Sequence, residues 1–556
     1  MERIKKLFNR EFSKISEAAL VLGFFTLFSQ VLGIVRDRLL AGNIGAGSNL
    51  DIYYAAFRVP DLLFTLGASL VSVSILMPFF KARYENSHEA GHKFLHDIFT
   101  VFFIFITVAS IITAIIMPYI AGYLFPGFNA EELSQSIMLS RIMLFSPILL
   151  GISNLLATIT QAFKQFFVYA LAPVFYNLGI IIGIVLLYPI FGVAGLGYGV
   201  VFGAFLHMII QIPVVIRHGL VPRLSFKIQW EHIKTVIGHS LPRTITLSMS
   251  KIVFLIFVSI ASTLVSGTIS VFNLSYNLQS VPLAIIGVSY SVAAFPVLVD
   301  YFNSNDHKKF MSHVMGPIRQ IIFWSMPIIS LFIILRAQIV RVILGTGNFD
   351  WADTRLTAAS LALFIISVIA QSIVLLLVRA YYASGKTWKP LWITLVSSIS
   401  TILFAYIFIT AYNTFPTLKF FFENLLRIEG VEGSSVIMLS LAYSVGMFLN
   451  LILLWYAFSK DFSFKAGYGI RRTILESFVT STLMGAVAYT MLQIIDPYFS
   501  QNTTMGVLLH GGISGIVALI VGAIILFAIK NQEINLLWNS LHRKFWKTKI
   551  IHQQEI

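Results

Sequence analysis

Fourteen predominantly apolar runs of about twenty residues follow one another between Ser16 and Ile529, separated by short charged or Gly/Pro-containing breaks. A helix needs about 20 apolar residues to cross the hydrocarbon core of a bilayer. Inside lipid each backbone N–H and C=O must be satisfied within the segment itself, so runs of this length are helices. The runs fall at residues 16–37, 50–80, 95–118, 135–160, 166–188, 192–216, 236–262, 268–299, 317–341, 356–380, 388–412, 434–458, 474–494 and 504–529. The expected fold class is all-α and polytopic, with about fourteen transmembrane helices. Charged residues make up 11% of the chain, against roughly 25% in soluble domains. That excludes an ordinary cytosolic enzyme and a disordered chain. The absence of cysteine excludes a disulfide scaffold. The uninterrupted runs exclude an outer-membrane barrel, whose strands alternate apolar and polar residues over about 10 positions.

The net charge of +15 does not point to nucleic acid, because a polytopic protein collects Lys and Arg in its cytoplasmic loops. With the N-terminus inside, the inner segments hold 28 of the 39 basic residues, the outer segments 6, and the spans themselves 5. This asymmetry favours cytoplasmic N- and C-termini and an even number of spans. Residues 1–38 begin with basic residues and an apolar run that ends in Arg36-Asp37-Arg38. They read as an uncleaved first span. Residues 531–556 mix Ile534, Leu537, Trp538, Leu541 and Phe545 with Arg543, Lys544, Lys547 and Lys549, which reads as a basic amphipathic cytoplasmic tail lying on membrane lipid.

The chain also resembles itself at an offset of about 220 residues. Gly45-Ala46-Gly47 leading to Arg58-Val59-Pro60 is echoed by Ser266-Gly267-Thr268 leading to Ser280-Val281-Pro282, and Gly127-Phe128-Asn129 by Gly347-Asn348-Phe349. Further echoes pair Met77-Pro78-Phe79 with Phe295-Pro296-Val297 and Gln161-Ala162-Phe163 with Arg379-Ala380-Tyr381. A six-span repeat returns to the same side of the membrane, so its two copies run parallel, the plan of transporters with a central site. The expected organisation is an N-lobe over 1–232 (helices 1–6), a C-lobe over 233–460 (helices 7–12), extra helices 13 and 14 over 461–530, and the tail over 531–556.

Charges at mid-bilayer cost about 2.5–3.5 kcal/mol each on insertion scales, so they mark a partner or a wet cavity. The first span carries Arg36 and Asp37, the second Asp51, Arg58 and Asp61, the fourth Arg141, and the seventh Arg243 and Lys251. Asp51, Tyr54 and Arg58 share one helix face, as do Arg243 and Lys251. The competing reading for single residues near helix ends is snorkelling to headgroups. Five cations against three carboxylates favour an anion, and diphosphate suits arginine best.

Two motifs suggest other chemistry. His88-Glu89-Ala90-Gly91-His92, extended by His96, fits the H-E-x-x-H zinc-protease pattern. A membrane metalloprotease is therefore a rival, although a solvated His-rich helix face explains the motif more simply and no metal is expected. Gly192, Gly195, Gly197, Gly199 and Gly203 imitate a nucleotide fingerprint but lack the strand–helix context. They read as close helix packing through small residues.

Ser29-Gln30-Val31-Leu32-Gly33-Ile34-Val35-Arg36-Asp37, then Gly45-Ala46-Gly47, then Asp51-Ile52-Tyr53-Tyr54-Ala55-Ala56-Phe57-Arg58-Val59-Pro60 resembles the N-terminal signature of the MurJ (MviN) lipid II flippases. This is a branch of the exporter superfamily that includes multidrug and oligosaccharide-lipid exporters. Arg141-Ile142-Met143 with Pro147, Ala172-Pro173 with Asn177, and Arg379-Ala380-Tyr381-Tyr382-Ala383 fit as well. The resemblance covers about residues 16–400. It implies a transporter of the bacterial cytoplasmic (inner) membrane, not an enzyme. Its substrate would be an undecaprenyl-diphosphate-linked peptidoglycan precursor, moved to the outer leaflet by alternating access. It implies no cofactor; a coupling ion (Na⁺ or H⁺) or the membrane potential would supply the drive, and cell-wall synthases are conceivable partners. Arg36, Asp37, Asp51 and Arg58 match the family's charged positions. Gln30 stands where the family has Arg, Phe64 and Thr65 where it has an Arg pair, and Tyr276-Asn277 where it has Asp-Arg. Arg243 and Lys251 are additions that would restore positive charge. The expected substrate-contacting set is thus Arg36, Asp37, Asp51, Arg58, Arg243 and Lys251, with Arg141 and Asn277 as further cavity residues. An oligosaccharide-lipid or multidrug exporter is the alternative within the same superfamily.

Overall fold

The long apolar runs do become helices. The structure, a computed structural model, describes residues 15–462, 469–535 and 538, and among these there is no strand. The helices that matter below are α1 (Ile15–Ile44), α2 (Ser48–Leu70), α3 (Val73–Asn86), α4 (His88–Leu124), α5 (Ala130–Met143), α6 (Phe145–Ala162), α7 (Phe166–Ile182), α8 (Val193–Ile209), α9 (Trp230–Ser262) and α10 (Thr268–Leu283). Among the described residues eleven helices are long and apolar enough to cross a membrane. Trp351–Ile366 and Val368–Ala383, bent by 41° at their junction, make a twelfth if they form one span. The count of about fourteen is not confirmed among the described residues. The shortfall falls on α1 and α2, read from sequence as the first two spans. These are the helices that carry Arg36, Asp37 and Arg38, and Asp51, Arg58 and Asp61.

The chain forms two units. One gathers the chain up to Leu274 with Ile343–Leu356 and Thr387–Ala442; the other gathers Ser275–Val342, Thr357–Lys386 and the chain from Tyr443 onward. In the second unit the buried Glu533, at the start of the predicted tail, pairs with Arg319 at 3.2 Å. The predicted tail beyond it lies almost wholly outside the described residues.

In the first unit, the glycine run works as a packing device. A Cβ at Gly179 would strike Gly203, and one at Gly183 would strike Gly199. The α7 segment and α8 therefore touch backbone to backbone, the close approach that small residues permit between helices in lipid. This accounts for Gly199 and Gly203 without any nucleotide.

Two turns of the same unit exchange contacts in a reciprocal pattern. The Gly347 turn, held at φ +57°, lies on the end of α1: Asn348 N donates to Gly42 O at 2.9 Å and Asn348 Nδ2 to Asn43 O at 2.9 Å. The Gly127 turn lies on the end of α9, where its N–H donates to Ser262 Oγ at 3.3 Å. A Cβ at Gly127 or at Gly347 would collide with the carbonyl opposite, Ser262 O or Gly42 O. Gly42 and Ser262, and likewise Gly127 and Gly347, are separated by the offset of about 220 residues already visible in the sequence.

Candidate functional site

The polar residues of α2 are not scattered. Asp51, Tyr54, Arg58, Asp61 and Thr65 recur at alternating steps of three and four, which lines them along one helix face. Arg58 hydrogen-bonds to Asn273 Oδ1 of α10, and its guanidinium lies over the Phe254 ring of α9, 5.4 Å from the centroid. Asp61 receives Lys251 Nζ of α9 at 2.8 Å. Thr65 Oγ1 turns back onto Asp61 O at 2.8 Å.

Arg36 approaches from α1. Its Nε and Nη2 donate to Asp37 Oδ1 at 3.0 and 2.8 Å, and its Nη1 to Asn177 Oδ1 of α7 at 3.2 Å. Asn177 is itself fixed, donating to Ser29 Oγ at 3.1 Å and Pro173 O at 3.2 Å. Two tyrosines join these groups: Tyr54 lies within electrostatic range of Arg36, Asp37 and Arg58, and Tyr176 within range of Arg36 and Asp61. The Tyr54 hydroxyl is buried and has no hydrogen-bond partner among the described residues.

Arg36, Asp37, Arg58 and Lys251 thus fall into three polar contacts, Arg36 with Asp37 and Asn177, Arg58 with Asn273, and Lys251 with Asp61. Among the described residues in these contacts the cations Arg36, Arg58 and Lys251 outnumber the carboxylates Asp37 and Asp61. Arg58 leans on the amide oxygen of Asn273, which orients a cation without cancelling its charge, whereas Arg36 is shared between Asp37 and the Asn177 amide and Lys251 pairs with Asp61. The Arg36 and Lys251 side chains keep 23% and 37% of their surface exposed. Such a cluster, fixed yet open, can replace the water around an oxyanion.

The other expected site residues lie elsewhere. Asp51 is buried and accepts from Gly267 N at 2.7 Å, Ser270 N at 2.8 Å and Ser270 Oγ at 2.6 Å. It satisfies N–H groups at the start of α10, the role of a helix cap. Arg243 sits half-buried two turns before Lys251 on α9. Arg141 is exposed and donates to Ala114 O of α4 at 2.9 Å. Asn277 belongs to the second unit, half-buried on the continuation of α10. Of the residues in the H-E-x-x-H pattern, His88 and Glu89 open α4 as exposed residues. Among the described residues no three His, Cys, Asp or Glu side chains are placed to hold a metal. Asn273, Tyr176 and the pairing of Asp61 with Lys251 escaped the sequence reading. The signal within reach was the three–four stripe on α2, which includes Asp61.

A profile of the family "Lipid II flippase MurJ" matches residues 40–509. The probable lipid II flippase MurJ of Rhizobium tropici is 24% identical, over 94% of this chain and 96% of its own length. A solved structure described as "Lipid II flippase MurJ, inward closed conformation" superposes with a TM-score of 0.73 at 22% identity, covering 92% of this chain and all of that one. An inward-facing multidrug transporter of the MATE family superposes at 0.62 and 14% identity, over 82% of this chain and 99% of its own. The family match over most of the length, on a fold shared with those transporters, is decisive: the chain is a multi-span membrane protein that belongs to the lipid II flippase MurJ family.

Proposed function

We propose that this chain is a lipid flippase that carries lipid II, the undecaprenyl-diphosphate-linked peptidoglycan precursor, from the inner to the outer leaflet by alternating access. The observation that carries the reading is the cationic cluster of Arg36, Arg58 and Lys251, built on helices of the first unit in a chain of this family. The diphosphate needs cations and donors in place of its water, while the polyprenyl tail can stay in lipid. Arg58 supplies charge held by Asn273, and Arg36 is held by Asp37 and Asn177 together. Lys251 stands where Asp61 steadies it, and the Tyr54 hydroxyl supplies a donor with no other duty.

The bias of basic residues supports cytoplasmic termini, and the family supports an inner bacterial membrane. An inside-negative potential drives anions outward. One charge crossing 100 mV is worth about 2.3 kcal/mol, so two uncompensated negative charges gain at most about 4.6 kcal/mol. The test is the leaflet accessibility of labelled lipid II in cells depleted of their own flippase and given this gene. Restored outer-leaflet labelling is the expected result. Restored transport of a different glycan lipid, with lipid II left inside, would reassign the substrate to an oligosaccharide-lipid exporter.

A further inference from the structure

The His-rich segment at the start of α4 lines a cavity. Arg83, His92, Lys93, His96, Gln229 and His232 surround a cavity of about 650 Å³ where α3 and α4 meet the start of α9, with Ser87 and Glu89 at its edge. It lies at the end of α4 that faces the Lys- and Arg-rich loops, away from the Gly127 turn.

The cavity wall is built before any ligand arrives. Asp97, fully buried, accepts from Lys93 Nζ at 2.9 Å, Gln229 N at 3.1 Å and His232 Nδ1 at 3.1 Å. Lys93 also donates to Ser225 Oγ at 2.8 Å and to Lys227 O. Arg223 N donates to His96 Nδ1 at 3.1 Å, and Ser225 N to Thr100 Oγ1 at 2.8 Å. The 223–232 segment is thus stitched along α4.

These bonds also show which donors remain. Lys93 is fully occupied and neutralised by Asp97. His96 accepts at Nδ1, so its proton sits on Nε2 and is available. His92 has no hydrogen-bond partner among the described residues, and its ring lies 6.1 Å from that of His96. Arg83 forms no ion pair among the described residues. Its Nη1 donates to Phe79 O at 3.2 Å and its guanidinium stacks on Phe94 at 4.8 Å. Aromatic stacking of this kind holds a guanidinium in place while its remaining N–H groups point away. The opposing carboxylate, Glu89, is exposed at the rim.

We infer that this cavity is a second oxyanion site, selective for a phosphate or diphosphate group, with Arg83 as its fork and His92 and His96 as supporting donors. It shares no residue with the Arg36–Arg58–Lys251 cluster. The phosphate could arrive on a soluble metabolite or on an anionic lipid headgroup, and the experiment separates the two.

The full chain is purified in detergent, and inorganic pyrophosphate binding is measured by calorimetry for the wild type, Arg83→Gln, Arg83→Lys, His92→Gln and Arg58→Gln. Loss of a charge-assisted hydrogen-bonded contact weakens binding about ten- to a hundredfold. Arg83→Gln is expected to lose that much, Arg83→Lys and His92→Gln less, while Arg58→Gln retains the Arg83-dependent component. Because His92→Gln changes a half-buried residue with no hydrogen bond among the described residues, it keeps the test valid should Arg83→Gln lower the melting temperature. The measurement is repeated in nanodiscs of phosphatidylcholine with and without phosphatidylglycerol. Suppression of the Arg83-dependent component by phosphatidylglycerol assigns the site to a lipid headgroup; indifference assigns it to a soluble phosphate. Pyrophosphate binding that is unchanged in both Arg83→Gln and His92→Gln overturns the inference.

Discussion

Replacing Tyr54 by Phe should move stability and transport in opposite directions. The Tyr54 hydroxyl is buried, lies within range of Arg36 and Arg58, and finds no partner among the described residues. An unsatisfied buried polar group costs about 1–3 kcal/mol. Its removal leaves ring packing in place, so the substrate-free protein should become more stable by about 1 kcal/mol or more. If the hydroxyl serves to donate to a diphosphate oxygen, the same substitution removes a hydrogen bond to a charged group, worth about 1.5–3 kcal/mol. That corresponds to roughly ten- to a hundredfold in affinity. Thermal unfolding of the detergent-purified protein reads the first effect, and lipid II binding with complementation of a flippase-depleted strain reads the second. A variant that melts lower than wild type, or one that binds lipid II as well as wild type, would refute the assignment of this hydroxyl to the substrate.

Arg243→Ala combined with Lys251→Ala removes both cations of the Ser240–Ser262 span of α9 and leaves Asp61 without its ion-pair partner, so complementation should fail although the protein reaches the membrane; normal growth would sink the role given to these cations. Asp51→Ala abandons two backbone N–H groups at the head of α10 and should cost about 2–4 kcal/mol, seen as a lower melting temperature that Asp51→Asn partly restores. Gly347→Ala places a methyl group against Gly42 O at a positive φ and should destabilise the protein by more than about 1 kcal/mol, read by the same melt. In vesicles, an imposed potential, negative on the side that holds the substrate, should accelerate flipping; indifference to its sign would remove the electrical drive while leaving the carrier intact.

What could be read from sequence was whatever is written locally. Twenty-residue apolar runs declare helices because lipid offers the backbone no alternative, and Arg36 beside Asp37 announces its own ion pair. The glycines of α8 were legible as packing for the same reason, since the spacing that brings them to one face lies within a single helix. The partners of the cluster were not legible. Lys251 finds Asp61 across 190 residues, Arg58 finds Asn273 across 215 and Arg36 finds Asn177 across 141. No periodicity encodes such distances; helix packing does. Asp51 shows the converse error. On charge alone it belonged with Arg58, seven residues on along the same face, but the chain start of α10 lies beside it, and unmet N–H groups claimed the carboxylate first. His88 and His92 had the spacing of metal ligands but lacked a third donor that only the fold could bring.

The crossed turns carry a mechanical consequence. One glycine elbow, at Gly127, rests on the end of α9, and another, at Gly347, rests on the end of α1. The seat at Gly347 is held by Asn348 N on Gly42 O and Asn348 Nδ2 on Asn43 O, and the seat at Gly127 by its own N–H on Ser262 Oγ. Drawing either helix end off its elbow forfeits these bonds, and each seat admits glycine alone because a Cβ there would meet a carbonyl oxygen.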